Sequence, residues 1–296
     1  MFTKTWPWLR CPICKNQLTE SSGALVCSSC KGHYPIINGM PLCVPDASRH
    51  EADMETARLV KPIWYQDEQP PEQGSPWRHH LRKRREYVQS VLRSECNAKR
   101  ERFSMLLDLG CGDGNNTLWL QEFASQLCAS DYNMVRLART KHRVPSARCF
   151  LGNILQYPVA DASMDCIFFN HVLEHIPDDI AALHEVRRVL KPGGLLILGV
   201  PNEGCWWWQL AYKRDPESLR TTDHVHFYTS KIITERLAET GFTITSVHHM
   251  GWGPPDWSLD GRIRQYKWVD DLFERVGKIF IPGQASSLYV IAHALR

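Results

Sequence analysis

Two groups of residues in this chain combine side-chain types and spacings that can do chemistry. The first is Cys11-Pro12-Ile13-Cys14, followed after twelve intervening residues by Cys27-Ser28-Ser29-Cys30. Two cysteine knuckles at this separation can place four thiolates tetrahedrally around one zinc ion, a closed site with no open position for catalysis. The metal would be structural, holding together a fold too small to build its own core. The second group is Leu106-Leu107-Asp108-Leu109-Gly110-Cys111-Gly112-Asp113-Gly114, an apolar run that meets an acid and then three alternate glycines. It reads as a buried strand turning tightly toward a helix, where glycines admit unusual backbone angles and let a ligand lie against the main chain. Asp131 follows about twenty residues later, with a carboxylate able to accept both hydroxyls of a ribose. The glycine spacing is not that of a dinucleotide site, and no Gly-Lys-Ser/Thr follows for a phosphate loop. The expected ligand is therefore a nucleoside-bearing cofactor without a pyrophosphate.

The elements that must position these residues alternate. Strands are expected at Phe103–Leu109, Gln126–Ser130, Ala147–Leu151, Met164–Phe169 and Leu195–Val200, with helical patterns at Thr117–Phe123, Asn133–His142 and Ile180–Leu190. This βαβ series predicts an α/β fold, a parallel sheet wound on both faces, with ligands beyond the carboxyl ends of its strands. Lys191-Pro192-Gly193-Gly194 should close a helix before the fifth strand. Ser230–Thr240 reads as a later helix and Ser287–Ala294 as the last strand of a seven-stranded sheet. Near the N-terminus Gly23–Val26 looks like a short strand, and Asn38-Gly39 like a hairpin turn. These readings divide the chain into a ribbon at 1–45, a linker at 46–76 with one short helix near Glu51–Leu59, and a main domain at 77–296. That domain carries lid insertions around 201–229 and 251–284.

At 296 residues, with 43% hydrophobic and 23% charged side chains, the composition is that of an ordinary globular protein. A net charge of +3, from 35 basic and 32 acidic residues, is too small to argue for nucleic acid. No apolar run approaches the ~20 residues of a transmembrane helix, and Met1–Trp8 lacks a signal-peptide core. Of the eleven cysteines, four cluster near the N-terminus and most of the others sit in apolar runs, and together these features lead us to expect a reducing, cytoplasmic location. Locally, five basic residues between Arg78 and Arg85 share a helix with the apolar positions Leu81, Tyr87, Val88, Val91 and Leu92. They could track a phosphate backbone or form a solvated face packed over the next domain.

Leu9 to Val44, with its knuckles, Tyr34-Pro35-Ile36 and Asn38-Gly39-Met40-Pro41, resembles the small zinc-ribbon proteins that activate tRNA, rRNA and protein methyltransferases, here fused in cis. From Phe103 onward the chain resembles class I S-adenosylmethionine-dependent methyltransferases. The matching segments are Leu107–Gly114, Ser130-Asp131-Tyr132, Gly152-Asn153-Ile154, Asp165-Cys166-Ile167, Val172-Leu173-Glu174-His175-Ile176, Arg188–Gly194 and Gly241-Phe242. The resemblance implies S-adenosylmethionine held by Asp108, Gly110, Cys111, Gly112, Asp131, Tyr132, Asn153, Ile154 and Asn170. The Gly110 and Gly112 backbone would face the methionine part, Asp131 the ribose, and Asn153 with Ile154 the adenine. Asn153 replaces the aspartate common in the family, and an amide oxygen still accepts from the adenine amine.

Methyl transfer from a sulfonium is an in-line displacement in which alignment supplies much of the acceleration. An oxygen or nitrogen acceptor can also need a base, for which His171, directly after the fourth strand, and His224, in Asp223-His224-Val225-His226, are the first candidates. His175 is expected to be structural, and His226, in the same segment as His224, is a further candidate that could close over the acceptor. The segment after the fourth strand, Asn170-His171-Val172-Leu173, is not the Asn/Asp-Pro-Pro-Tyr/Phe of base-amine methyltransferases. Trp206-Trp207-Trp208 points three rings in different directions, as a pocket roof, a membrane contact or a base-stacking surface, or as a lid packed on Trp252, Trp257 and Trp268. The expected acceptor is a small-molecule or lipid-like metabolite. An RNA substrate held by ribbon and basic helix, and a non-catalytic cofactor-binding regulator whose ribbon docks a protein partner, are the alternatives.

Overall fold

The computed structural model describes residues 6–60, 66–217, 224–254 and 256–295, and of residues 60, 207 and 257 only the backbone. Met1–Thr5, Asp223 and the rings of Trp207 and Trp257, used in the reading above, lie outside the described residues. The ribbon forms β1 (Leu18–Ser21), β2 (Ala24–Cys27), β3 (His33–Ile37) and β4 (Met40–Cys43), with Asn38 and Gly39 both in the left-handed region at the predicted turn. The stretch expected to be mostly linker instead holds a helix of four turns, α1 (Ala47–Val60), whose start is capped by the Asp46 carboxylate accepting from the Arg49 amide at 2.9 Å. After it comes the basic helix α2 (Arg78–Lys99).

The alternating series follows as β5 (Phe103–Leu109), α3 (Thr117–Leu120), β6 (Ala124–Asp131), α4 (Met134–Arg143), β7 (Arg148–Gly152), β8 (Met164–Asn170), α5 (Asp179–Val189) and β9 (Leu190–Pro201). Asn133 and Asp178 cap α4 and α5 through their side-chain oxygens. The helix expected over Thr117–Phe123 is shorter, since after Leu120 it tightens into a 3-10 turn that delivers the chain directly to β6. Lys191–Gly194 follows the end of a helix as expected. α5 stops at Val189, where Pro192 cannot donate a helical hydrogen bond, and these residues already belong to β9. The chain closes with α6 (Trp206–Arg214), α7 (Ser230–Glu239), β10 (Phe242–Met250), α8 (Trp257–Ile263), α9 (Lys267–Phe280) and β11 (Ser287–Ala294).

The strands order as β1-β2-β3-β4-β7-β6-β5-β8-β9-β11-β10. Seven of them, from β7 to β10, form the expected mostly parallel sheet, with β11 antiparallel between β9 and β10. The ribbon does not stand apart from it. β4 pairs in parallel with β7 through Leu42–Leu151 and Cys43–Gly152, which extends one continuous sheet to eleven strands. Alternation along the central strands fills two layers. Leu107, Ile167, Phe169, Leu196 and Leu198 pack with α5, α7 and the ribbon, while Leu106, Phe168 and Ile197 pack with α2, α3 and α4. Ribbon residues Trp8, Leu18, Leu25 and Tyr34 belong to the first layer, where Trp8 meets Phe150 edge-on at 5.2 Å.

Candidate functional site

The parallel strands bring every chemically suited residue of the main domain to one rim, at their carboxyl ends. At the end of β5 the amides of Gly110 and Cys111 both donate to the Ser130 carbonyl, at 2.8 and 3.0 Å, so the glycine turn is fastened to β6. Gly110 has φ +73°, and a Cβ there would come 2.3 Å from a Val172 methyl. Gly112 has φ +54°, and a Cβ there would come 2.7 Å from the Arg136 guanidinium. Asp131 ends β6 with one carboxylate oxygen accepting from the Gly112 amide and the other from the Asn133 amide, each at 2.8 Å. Each oxygen keeps a lone pair for a ribose hydroxyl. Burial pushes the Asp131 carboxyl up from its ordinary range. Beneath the turn, buried Asp108 accepts from the Thr117 hydroxyl at 2.5 Å, and burial pushes its carboxyl up to about 7. Asp108 is thus a support of the turn, while the backbone of Gly110, Cys111 and Gly112 lines it.

Asn153 and Ile154 follow β7, and the Asn153 side-chain oxygen accepts from the Leu155 amide at 3.0 Å, which leaves one oxygen lone pair and the amide group open. Asn170 ends β8 and accepts from the Tyr289 hydroxyl at 2.8 Å. Tyr132 turns away from the turn, donating to Asp53 on α1 at 3.1 Å, while its carbonyl meets the His50 ring nitrogen at 2.7 Å. The segment after α1 also closes on this rim, where the Gln69 amide donates to Asp113 at 2.8 Å and Arg143 pairs with Glu68 at 2.6 Å.

The polar end of the rim lies beside Gly110. His171 has φ +53° and its Nε2 is 2.7 Å from the Arg84 guanidinium. Arginine only donates, so Nε2 accepts and the ring proton sits on Nδ1, which faces Glu174 Oε1 at 3.3 Å. Burial, then the Arg84 charge, holds His171 below its ordinary value. Burial alone would raise Glu174, but its contacts with His171 and His175 outweigh this and hold the carboxyl down. His224 Nδ1 lies 2.6 Å from Glu203 Oε1, and the fully buried Glu203 also accepts from the Tyr212 hydroxyl. The rings of His175 and His224 meet edge-on at 4.9 Å. His171 therefore spends both nitrogens within the protein, whereas His224 spends one. His226 bonds the Ile176 and Pro177 carbonyls, as a structural residue does.

In the ribbon the Sγ atoms of Cys11, Cys14, Cys27 and Cys30 lie within 4.8 Å of one another, with Cys11–Cys30 and Cys14–Cys27 both at 3.4 Å. A tetrahedral ion with sulfur at 2.3 Å spaces its ligands about 3.8 Å apart, so the four thiols fit one. The Asn16 amide donates to Cys14 at 3.4 Å, as a knuckle does toward a thiolate.

Several residues of this rim escape a sequence reading. Arg84 carries a detectable signal, since it falls between Leu81 and Val88 on the apolar face of α2, and it is half-buried against His171 and Ser287. Three other cations of that helix are spent on internal partners. Lys83 pairs with Asp270 at 2.6 Å and Asp271 at 3.0 Å, Arg85 with Glu72 at 3.2 Å, and Arg78 donates to the Gln265 carbonyl at 2.6 Å. Glu174 and Glu203 are acids whose burial no local pattern announces. In the lid, Trp208 is buried with Cys205 and Tyr212, and Trp206 is exposed. Trp252 packs on Gly277 and donates to the Ile281 carbonyl at 3.0 Å, while Trp268 faces solvent.

Comparison with known proteins fits this geometry. Residues 4–39 match the family described as Trm112p-like protein, and residues 77–247 that described as Methyltransferase domain. A "Probable S-adenosylmethionine-dependent methyltransferase" of Mycobacterium tuberculosis is 26% identical over 180 residues, 61% of this chain and 62% of that protein. The chain thus spans less than two thirds of that relative's length. A trans-aconitate 2-methyltransferase of Variovorax paradoxus is 32% identical over 99 residues, 33% of this chain and 38% of that one. Among solved structures, the N-methyltransferase NodS of Bradyrhizobium japonicum, in complex with S-adenosyl-l-homocysteine, shares the fold at a TM-score of 0.52 and 16% identity. It covers 83% of this chain and 99% of its own. With a matched segment longer than half the chain, the seven-stranded rim described above, and the four-cysteine ribbon ahead of it, the protein belongs to the class I methyltransferase-domain family.

Proposed function

We propose that the protein transfers a methyl group from S-adenosylmethionine to an oxygen or nitrogen of a small-molecule or lipid-like metabolite. The observation that carries the donor is the Asp131 carboxylate, fixed by the Gly112 amide at the mouth of the glycine turn. On this reading the Gly110, Cys111 and Gly112 backbone faces the methionine part, Asp131 the ribose, and Asn153 with Ile154 the adenine. Asn170 and Tyr132 flank the cofactor. His224 touches the acceptor and His171 positions Glu174. The ribbon, residues 1–45, binds a structural zinc ion. It activates its own chain from its seat on β7, across the stretch at 46–76, rather than a separate partner. Lids around 201–229 and 251–284 cover the acceptor end of the domain at 77–296.

Support for an apolar acceptor comes from α9, which turns Asp270 and Glu274 inward and leaves Trp268, Leu272, Val276, Ile279 and Phe280 to solvent. The RNA reading draws little from α2, where Lys83, Arg85 and Arg78 are occupied within the protein. Among the described residues no helix is long and apolar enough to cross a membrane, and all eleven cysteines are free, which supports a cytoplasmic location. Incubation with methyl-labelled S-adenosylmethionine and a cell extract, then separation of RNA, protein and metabolite-lipid fractions, tests the reading. Label is expected in the metabolite-lipid fraction. Label confined to RNA or protein refutes it, and tight cofactor binding without turnover would instead favour the regulator.

A further inference from the structure

The acceptor end of the rim contains a buried carboxylate that the protein satisfies only in part. Glu174 is 1% exposed; the His171 Nδ1 at 3.3 Å and the His175 Nε2 at 4.0 Å face its Oε1, while its Oε2 has no hydrogen-bond partner. A buried, ionised acid left this way is costly, and such sites are ordinarily completed by a proton, a water or a cation. Two imidazoles converge on the same point. One donor atom each from Glu174, His175 and His224 lie within 4.8 Å of one another. His224 is also held from behind, since its Nδ1 is 2.6 Å from Glu203 Oε1, and Glu203 is wholly buried and bonded to Tyr212. A carboxylate behind an imidazole fixes the tautomer that leaves Nε2 with its lone pair forward. It is the support that metal-bound histidines typically have.

We infer that Glu174, His175 and His224 form a second metal site, for a divalent transition cation, distinct from the four-cysteine ribbon. Two imidazoles and one carboxylate suit zinc, cobalt or iron better than magnesium. Ligands at about 2.1 Å around a tetrahedral ion sit about 3.4 Å apart, so closing the 4.0 Å gap from Glu174 to His175 takes side-chain movements well under 1 Å. Three protein ligands leave a fourth position open. Val172, two residues before Glu174, packs on Gly110, so the three ligands lie near the methionine end of the proposed cofactor site. This reading of the open position rests on the proposed methyl transfer and selects a hydroxyl acceptor. Bound to the cation, the hydroxyl releases its proton to solvent water, and the oxygen then takes the methyl as the carbon–sulfur pair returns to sulfur.

The test uses the full chain with its ribbon loaded with zinc, titrated with cobalt(II) and followed by absorption and calorimetry. One further cobalt per chain is expected, without the thiolate charge-transfer band that cobalt in the ribbon would give. Glu174→Gln and His224→Ala should each abolish it, and Glu203→Gln should weaken it 10- to 100-fold. Unchanged melting temperature and S-adenosylmethionine binding show that the variants are folded. No additional cobalt, or cobalt binding indifferent to Glu174→Gln and His224→Ala, overturns the site. Cobalt bound as expected in a protein that methylates nothing leaves the site standing and removes the methyl-transfer reading, and methyl transfer without a second cobalt does the reverse.

Discussion

Asp108 offers a sharp test of how the glycine turn is built. Its carboxyl is 2% exposed and is held at about 7 in the fold, against an ordinary value of 3.8. Burial is the main cause, and the nearby Asp131 charge adds to it, while the Thr117 hydroxyl at 2.5 Å works the other way. Between pH 4 and pH 7 the folded chain therefore keeps a proton that the unfolded chain has released. The sign follows: stability declines as pH rises through this window, and levels off above it. The full effect of one carboxyl over that interval is about 4 kcal/mol, since each pH unit contributes about 1.4 kcal/mol. Asp108→Asn cannot ionise, and its amide oxygen can still accept from Thr117. Urea unfolding of the cofactor-free wild type and variant, at fixed zinc and at pH values from 5 to 8, isolates this carboxyl as the difference between the two. The variant should gain on the wild type by about 1 kcal/mol per unit near pH 6 and by a constant amount beyond pH 7.5. A difference that does not change with pH, or that grows in favour of the wild type as pH rises, refutes the burial argument.

Two glycines with nearly the same backbone separate strain from contact. Gly193→Ala, at φ +75° with nothing within 4 Å of the new Cβ, should cost only the about 1 kcal/mol of a left-handed alanine, read as a small shift in melting temperature. Gly110→Ala, at φ +73°, adds a 2.3 Å collision with Val172. It should destabilise the fold by at least twice as much and abolish S-adenosylmethionine binding measured by calorimetry. Cys14→Ser should lower zinc content to below one per chain and lower the melting temperature of the whole chain, because β4 is part of the main sheet. An unchanged main transition in that variant would mean that ribbon and sheet fold independently.

What the sequence discloses follows from the range of the interactions involved. The central strands are apolar runs buried on both faces, so composition alone locates them, and β8 and β9 are found within a few residues of Met164–Phe169 and Leu195–Val200. The glycine turn and Asp131 are equally local, since the turn needs its backbone angles and the acid ends the next strand. By contrast, the ring of contacts around the rim joins distant segments. Tyr132 meets Asp53 across 79 residues, Gln69 meets Asp113 across 44, and Arg84 meets His171 across 87. A stretch rich in proline and acids reads as linker because its partners are elsewhere, and only the fold shows α1 and the Gln69 segment closed on the rim of the sheet, at Tyr132 and Asp113. The five cations between Arg78 and Arg85 mislead for the same reason. Their sign suggests a polyanion, but Lys83 and Arg85 pair with acids at residues 270, 271 and 72, and Arg78 and Arg84 meet the Gln265 carbonyl and His171.

The ribbon's place in the sheet gives the cysteine cluster a role beyond local folding. β4 adds to β7 through two residue pairs, the second of which is Cys43 beside Gly152, immediately before Asn153 and Ile154 at the proposed adenine position. A second anchor lies on the opposite flank, where Lys15, within the knuckle loop, donates to the Tyr157 carbonyl at 2.9 Å and pairs with Glu185 of α5 at 3.0 Å. Tyr157 in turn bonds Ser130, the residue whose carbonyl fastens Gly110 and Cys111. A chain of direct contacts thus runs from the knuckle loop to the glycine turn. A metal that orders the knuckles therefore orders the edge of the sheet where a nucleoside would lie. Without the ribbon, β7 would be an edge strand with unpaired main-chain groups next to that pocket. Fusion in cis would make this support permanent, and would let a module whose four-cysteine site is closed to chemistry still bear on the proposed methyl transfer.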